Sequence, residues 1–254
     1  MARFKAVSHE DRLTLVEHLD ELRSRLIVCA AVFGVAFGLC LWQSRLLLEI
    51  AAGPLPAANE RLLTFGVAEP LTITLTVAAY GAILLSAPVV LYQAYAYVLP
   101  AFSDRERRVV FPLLLVVPLL FVAGVVFSYF VVMPPAVDFL LGFNASEFNV
   151  QVRARDYYGF FSMTLIALGL VFQLPVGILA ATRLGIVTPA QLSSNRRYAY
   201  LVIAILAAAL PGVDPVSMLI EMVPLIVLYE LSILLARAFG TPRSALTEPT
   251  AQER

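Results

Sequence analysis

Five stretches of this chain contain no Asp, Glu, Lys or Arg at all, and a sixth is broken only by Glu221 and Glu230. They cover residues 26–44, 70–103, 109–137, 157–182, 198–213 and 215–236. A helix that crosses a bilayer needs about 20 apolar residues, and a run of that length predicts a membrane span. The 34 residues of 70–103 exceed one straight crossing, so that run includes a loop or a helix with an interfacial end. The 29 residues of 109–137 are expected to end at Pro134 and Pro135. The 16 residues of 198–213 are short. They rise about 24 Å against a hydrocarbon core of about 30 Å. With the turn sequence Pro211-Gly212-Val213-Asp214-Pro215 between them, the fifth and sixth runs are expected to form a hairpin of two short helices. Charged residues make up 14% of the 254 positions and hydrophobic ones 60%, against about 25% charged in a soluble domain. That excludes an ordinary cytosolic enzyme, a nucleic-acid-binding domain and a disordered chain. Period-two alternation is missing, which disfavours a membrane β-barrel. The first 25 residues are charged throughout and do not read as a cleavable signal.

The formal net charge of zero conceals an asymmetry. With six spans both termini share a side. That side carries Arg3, Lys5, Arg12, Arg23, Arg25, Arg105, Arg107, Arg108, Arg183, Arg196, Arg197, Arg237, Arg243 and Arg254, and the other carries Arg45, Arg61, Arg153 and Arg155. Basic residues collect on the cytoplasmic side of membrane proteins. Both termini are therefore expected in the cytoplasm, with residues 1–25 as a cytoplasmic segment, 26–236 as the membrane domain and 237–254 as a disordered tail.

Few residues are left to carry chemistry. Two histidines, His9 and His18, make no metal site of standard spacing. Cys29 and Cys40 lie 11 residues apart in the first span, too far along a helix to bond. There is no phosphate-binding loop, nucleophile elbow or H-E-x-x-H motif. Residues 13–26 are amphipathic, with Leu13, Val16, Leu19, Leu22 and Leu26 on one face, and are expected to lie along the inner interface. Glu17, Asp20 and Glu21 oppose that face. They are either solvated charges of an anchor or acceptors for a basic ligand. Ser103 and Glu106 have capping-box spacing, as do Thr188 and Gln191. Glu106 also has the chemistry to accept a guanidinium. Within the spans stand Gln93, Gln173, Glu221 and Glu230. Glu221 lies near the outer end, within reach of the interface, and Glu230 is expected to face a bundle partner. Asp214 before Pro215 reads as a helix cap. Pro88, Pro118, Pro175 and Pro224 are expected to kink their helices.

An ordered set of motifs carries a resemblance. These are His18-Leu19-Asp20-Glu21-Leu22-Arg23-Ser24-Arg25-Leu26, then Ser86-Ala87-Pro88 with Leu91-Tyr92-Gln93, then Pro100-Ala101-Phe102 with Glu106-Arg107-Arg108. Tyr129-Phe130-Val131-Val132 with Pro134, Phe172-Gln173-Leu174-Pro175 and Asp214-Pro215 follow in order. From about residue 17 to 239 the chain resembles the TatC family, the polytopic receptor subunit of the twin-arginine protein translocase. The resemblance implies an all-α integral membrane protein, a cupped bundle of six kinked transmembrane helices with a short fifth/sixth hairpin, in the cytoplasmic membrane. It implies no cofactor and no catalysis. It implies a signal-peptide site at Glu21, Glu106, Tyr97 and Arg23 for paired arginines, and contact with single-span TatA- and TatB-like partners near Gln173 and Glu230 in a multimeric complex driven by the protonmotive force. Pro54 and Asp214 match outer-face structural positions. Membrane lipids are expected partners and nucleic acid is not. The chain departs from the family at Gln173, where a glutamate is usual and where glutamine cannot titrate, and at Thr76, where many relatives carry lysine. The competing expectation is an ion-coupled secondary transporter using Glu221 or Glu230. No inverted repeat is visible to support it.

Overall fold

A computed structural model describes residues 9–56, 62–98, 113–148, 150–210 and 215–239. Ser103, Glu106 and Asp214, with the roles expected of them, lie outside these residues. Among the described residues every regular element is a helix, and extended pairing is limited to one isolated bridge between Leu63 and Arg153. Five helices are long and apolar enough to cross a membrane: His18–Trp42, Glu69–Tyr97, Leu115–Gly142, Ala154–Arg183 and Pro215–Ala238.

The first helix, α1, runs unbroken from His9–Trp42. The amphipathic stretch expected along the interface is thus continuous with the first span. Nothing between residues 9 and 33 turns the chain, since that stretch has neither Gly nor Pro. At 1.5 Å per residue, α1 is about 50 Å long and exceeds a hydrocarbon core of about 30 Å. Short α2 (Ser44–Ala52) folds back beneath it, and α3 (Glu69–Val98) returns antiparallel. The α1–α3 seam is built from Ala36, Cys40, Ala78 and Ala82. Small side chains let membrane helices approach closely, where dispersion rather than water exclusion holds them together. Cys29 and Cys40 are both free thiols.

The third span does not stop at Pro134 and Pro135. It comprises α4 (Leu113–Phe127), a π-helical turn (Ser128–Val132) and α5 (Met133–Gly142). Two prolines would leave the carbonyls of Phe130 and Val131 without their α-helical donors. The wider turn, closed by the Met133 amide donating to the Ser128 carbonyl, absorbs the mismatch and lets the helix continue. In the fourth span, proline does interrupt. Helix α6 (Ala154–Val171) ends at Phe172 and Gln173, and α7 (Leu174–Arg183) starts afresh with Pro175 in its first turn. Pro88, Pro118 and Pro224 sit inside helices that run on through them. The α4–α6 crossing rests on two glycines. A Cβ on Gly124 would stand 2.9 Å from the Gly169 Cα and 2.9 Å from the Leu168 carbonyl oxygen.

After α7 the chain makes the expected capping box, with Thr188 accepting from the Gln191 amide and Gln191 reaching back, at the start of α8 (Pro189–Ser194). The last hairpin is unequal. Helix α9 (Arg196–Ala209) has 14 residues, whereas α10 (Pro215–Phe239) has 25. Shortness is confined to the first arm, because α10 continues beyond Ala236 through Arg237 to Phe239. Along α10, Leu225, Tyr229, Ile233 and Ala236 are buried while Leu219, Val223, Val227, Leu231 and Leu234 are exposed. A helix apolar on both faces, with the exposed face carrying large aliphatic residues, is built for lipid.

At the end opposite the N-terminus, Ala51, Leu55, Met133, Val137, Tyr157, Phe161 and Leu165 form a core. Pro54 sits in the turn leading from α2 to Leu55 of this core. The Tyr157 hydroxyl donates to the Ala51 carbonyl at 2.7 Å and the Tyr129 hydroxyl to Ile50 at 3.0 Å. The first satisfies a carbonyl that the end of α2 leaves open, and the second adds to the bond that Ile50 already accepts from the Gly53 amide. Tyr157→Phe keeps the ring and strands the buried Ala51 carbonyl. It is expected to cost about 1–3 kcal/mol, seen as a lower midpoint in thermal unfolding of the detergent-solubilised protein.

Candidate functional site: a carboxylate cluster at the N-terminal end of the bundle

Helical spacing puts His18, Glu21 and Arg25 on one stripe of α1, at i, i+3 and i+7. Antiparallel packing brings Gln93 and Tyr97 of α3 against that stripe. Arg25 donates through Nε and Nη2 to the same Glu21 oxygen, at 2.9 and 2.6 Å. Its Nη1 donates to the Gln93 Oε1 at 2.7 Å. The His18 ring stacks on the Tyr97 ring, centroids 4.2 Å apart and planes 10° from parallel. The His18 Nδ1 stands 3.8 Å from the second Glu21 oxygen. The Glu21 side chain is 35% exposed and that of Arg25 24%. The cluster is therefore fixed on one flank by α3 and open to solvent on the other.

The chemistry of such a carboxylate suits a cation. A carboxylate accepts the planar fork of a guanidinium with two parallel bonds, which a lysine ammonium cannot make. Tyr97 and His18 offer a flat aromatic edge beside it. Among the described residues no group of three or more His, Cys, Asp or Glu side chains is placed to hold a metal.

Glu21 and Tyr97 are brought together here, and Arg23 is not. Two residues on from Glu21 places it about 200° round the helix, where it is exposed. Gln173 lies inside the fold at the α6–α7 break, 8% exposed, with its Nε2 donating to the Val117 carbonyl of α4 at 3.2 Å. Its Oε1 makes no hydrogen bond among the described residues. Glu230 accepts a two-pronged contact from Arg196, Nε and Nη2 each at 2.8 Å, and a third bond from the Tyr200 hydroxyl at 2.7 Å. It ties α9 to α10. Glu221 does not reach the interface but is wholly buried. It starts the stripe at i, i+4 and i+8 with Leu225 and Tyr229 that faces the bundle.

Two pairings had a sequence signal or none. Glu21 and Arg25 have the i,i+4 spacing of a helical ion pair. Arg25 with Gln93 is separated by 68 positions and gives no local sign. The same holds at the opposite end for Glu69, 9% exposed, which accepts from the amides of Phe65 and Gly66 and from the Arg153 Nε at 2.8 Å. That carboxylate closes the turn leading into α3 and ties it to the bridge at Arg153.

The fold defines a multi-pass, all-helical membrane protein. A family model for the Sec-independent protein translocase protein (TatC) matches residues 17–224. TatCy of Bacillus subtilis is 35% identical over 229 residues, covering 90% of each chain. TatC of Carboxydothermus hydrogenoformans is 36% identical over 232 residues, 90% of this chain and 95% of that one. A crystal structure of the twin arginine translocase receptor TatC superposes with a TM-score of 0.74 at 32% identity, over 88% of this chain and all of that one. The chain belongs to the TatC family. It is a component of protein transport and not an enzyme, and nothing in these relatives supports an ion-coupled transporter working through Glu221 and Glu230.

Proposed function

We propose that this chain is the receptor subunit that binds paired-arginine signal peptides at the cytoplasmic face of the cytoplasmic membrane. The observation that carries the reading is the Glu21 carboxylate, which already accepts two bonds from one guanidinium, both on a single oxygen, at the solvent-open edge of a membrane helix. One arginine of the ligand takes Glu21, with Tyr97 packing against the peptide. Glu106 supplies the second carboxylate. The arginine asymmetry of the sequence supports a cytoplasmic position for this end and for both termini. TatA- and TatB-like single-span partners pack on the exposed apolar faces of α9 and α10, where Leu201, Ile205, Leu219 and Val223 meet lipid in the single chain. A glutamine at position 173 takes no part in proton exchange. Coupling to the protonmotive force runs through the assembled complex.

The test is co-purification from membranes with a tagged precursor carrying a twin-arginine signal. The chain is expected to retain this precursor and to lose it when both arginines are lysine. Equal retention of the two precursors, or of neither, would sink the reading.

A further inference from the structure

The unliganded site is not empty. Three nitrogens of Arg25 are engaged, two on one Glu21 oxygen and the third on Gln93. The contact Arg25 makes with Glu21 is of the kind an incoming arginine would make. We propose that Arg25 is a built-in competitor for the ligand: it occupies the Glu21 carboxylate at rest, Gln93 of α3 holds it there, and binding exchanges one guanidinium for another. The inference rests on Glu21 being the acceptor, as set out above.

The geometry separates this from a plain helix-surface ion pair. An exposed i,i+4 pair is worth little, since both long side chains lose rotamer freedom to hold one arrangement. Here the arginine is fixed from a second helix by a 2.7 Å bond. The stacked His18 and Tyr97 rings tie α1 to α3 at the same level. Displacement breaks the Gln93 bond along with the Glu21 contact, and Arg25, already 24% exposed at rest, turns into water. Displacement therefore moves one side chain and does not strand a buried charge.

The thermodynamic consequence is specific. A tethered competitor lowers the apparent affinity of every ligand that needs the carboxylate, and by the same factor, because all of them must first free it. It does not alter the ratio of affinities between an arginine and a lysine peptide. It raises the threshold instead. A single-point ammonium contact falls below useful occupancy, whereas a peptide bringing two forked donors still binds. Discrimination in the cell then comes from intrinsic fork geometry set against a fixed internal cost.

The test uses the full chain in lipid nanodiscs and two fluorescent signal peptides differing only in twin arginine or twin lysine, read by anisotropy. Arg25→Lys keeps the charge and loses the fork. Gln93→Ala keeps all charges and removes the outer clamp. Both variants are expected to bind both peptides more tightly by a common factor, about threefold to fivefold for Arg25→Lys and less for Gln93→Ala. Unchanged or weaker binding in both variants would overturn the proposal and make Arg25 a residue that positions Glu21. A change in the arginine-to-lysine ratio would overturn it too, since Arg25 would then still touch the bound ligand. Failure of the receptor reading itself looks different: wild-type protein would bind the two peptides alike, or Glu21→Ala would bind like wild type.

Discussion

Glu21→Ala is expected to weaken binding of a paired-arginine peptide by at least about 30-fold, the equivalent of about 2 kcal/mol. The loss has two parts. The first is the forked, charge-assisted contact with the ligand. The second is Arg25, which loses its carboxylate and then faces the incoming arginines as an uncompensated like charge. Partial exposure of Glu21 moderates both, since water screens charges at an open edge. Glu21→Gln keeps the shape and one acceptor oxygen and is expected to fall between wild type and alanine. Equilibrium binding by anisotropy, at two salt concentrations, checks this. The alanine variant should also show a shallower dependence on salt, because one ion pair of the complex is gone. Binding within twofold of wild type would contradict the role given to Glu21.

The second large effect is structural. Gly124→Leu is expected to cost more than about 3 kcal/mol and to abolish accumulation of folded protein in the membrane. The Cβ alone would meet the Phe172 ring at 2.8 Å and the backbone of Gly169 and Leu168 at 2.9 Å. Backbone atoms cannot step aside without parting α4 from α6, and that seam carries the fold between its two ends. Gly169→Ala is expected to be milder. Its Cβ would meet the Phe121 ring edge at 2.6 Å, which is side chain, although Phe121 is itself only 1% exposed. Gly159→Ala is the control. It lies in the same helix as Gly169 with nothing within 4 Å of the added carbon, and it should shift stability by less than about 1 kcal/mol. The ratio of folded to aggregated protein after detergent extraction, followed against temperature, orders the three. A Gly124→Leu protein as stable as Gly159→Ala would contradict this account of the α4–α6 seam.

Much of the architecture was legible because a bilayer admits few solutions. Runs of uncharged residues had to be helices, since a membrane core leaves no other way to satisfy the backbone. What the sequence misplaced were ends and continuity, where local signals compete. Pro134 and Pro135 read as a stop, yet a π-helical turn at Ser128–Val132 carried the helix past them. Pro175, an equally plain signal, did split its span, because Phe172 and Gln173 take up the break in the backbone. The amphipathic pattern of residues 13–26 suggested a separate interfacial helix, but amphipathicity does not turn a chain, and nothing there breaks α1. Glu221 looked interfacial from its distance to the helix end. Its angular position, in line with Leu225 and Tyr229, decided its burial instead.

The site divides in the same way. Glu21 was readable as an acid on a basic face, and its link to Arg25 follows from a four-residue spacing. Gln93 and Tyr97 join it through the α1–α3 register, which arises from small residues meeting along a seam and leaves no local trace. The family resemblance implied Arg23 as part of the site. The helical repeat puts it on another face. Gln173 is the converse case. The resemblance implied partner contacts near it, and in the single chain its amide donates from the α6–α7 break to the Val117 carbonyl of α4, a link with no local sign in the sequence.

The measurement that tests the central claim most directly is the affinity of wild-type protein, in nanodiscs, for two signal peptides identical except that one carries two arginines and the other two lysines. The arginine peptide is expected to bind at least about tenfold more tightly, a gap of about 1.4 kcal/mol, and Glu21→Ala is expected to close most of that gap. Equal affinity of wild-type protein for the two peptides would contradict recognition of a guanidinium by the Glu21 carboxylate.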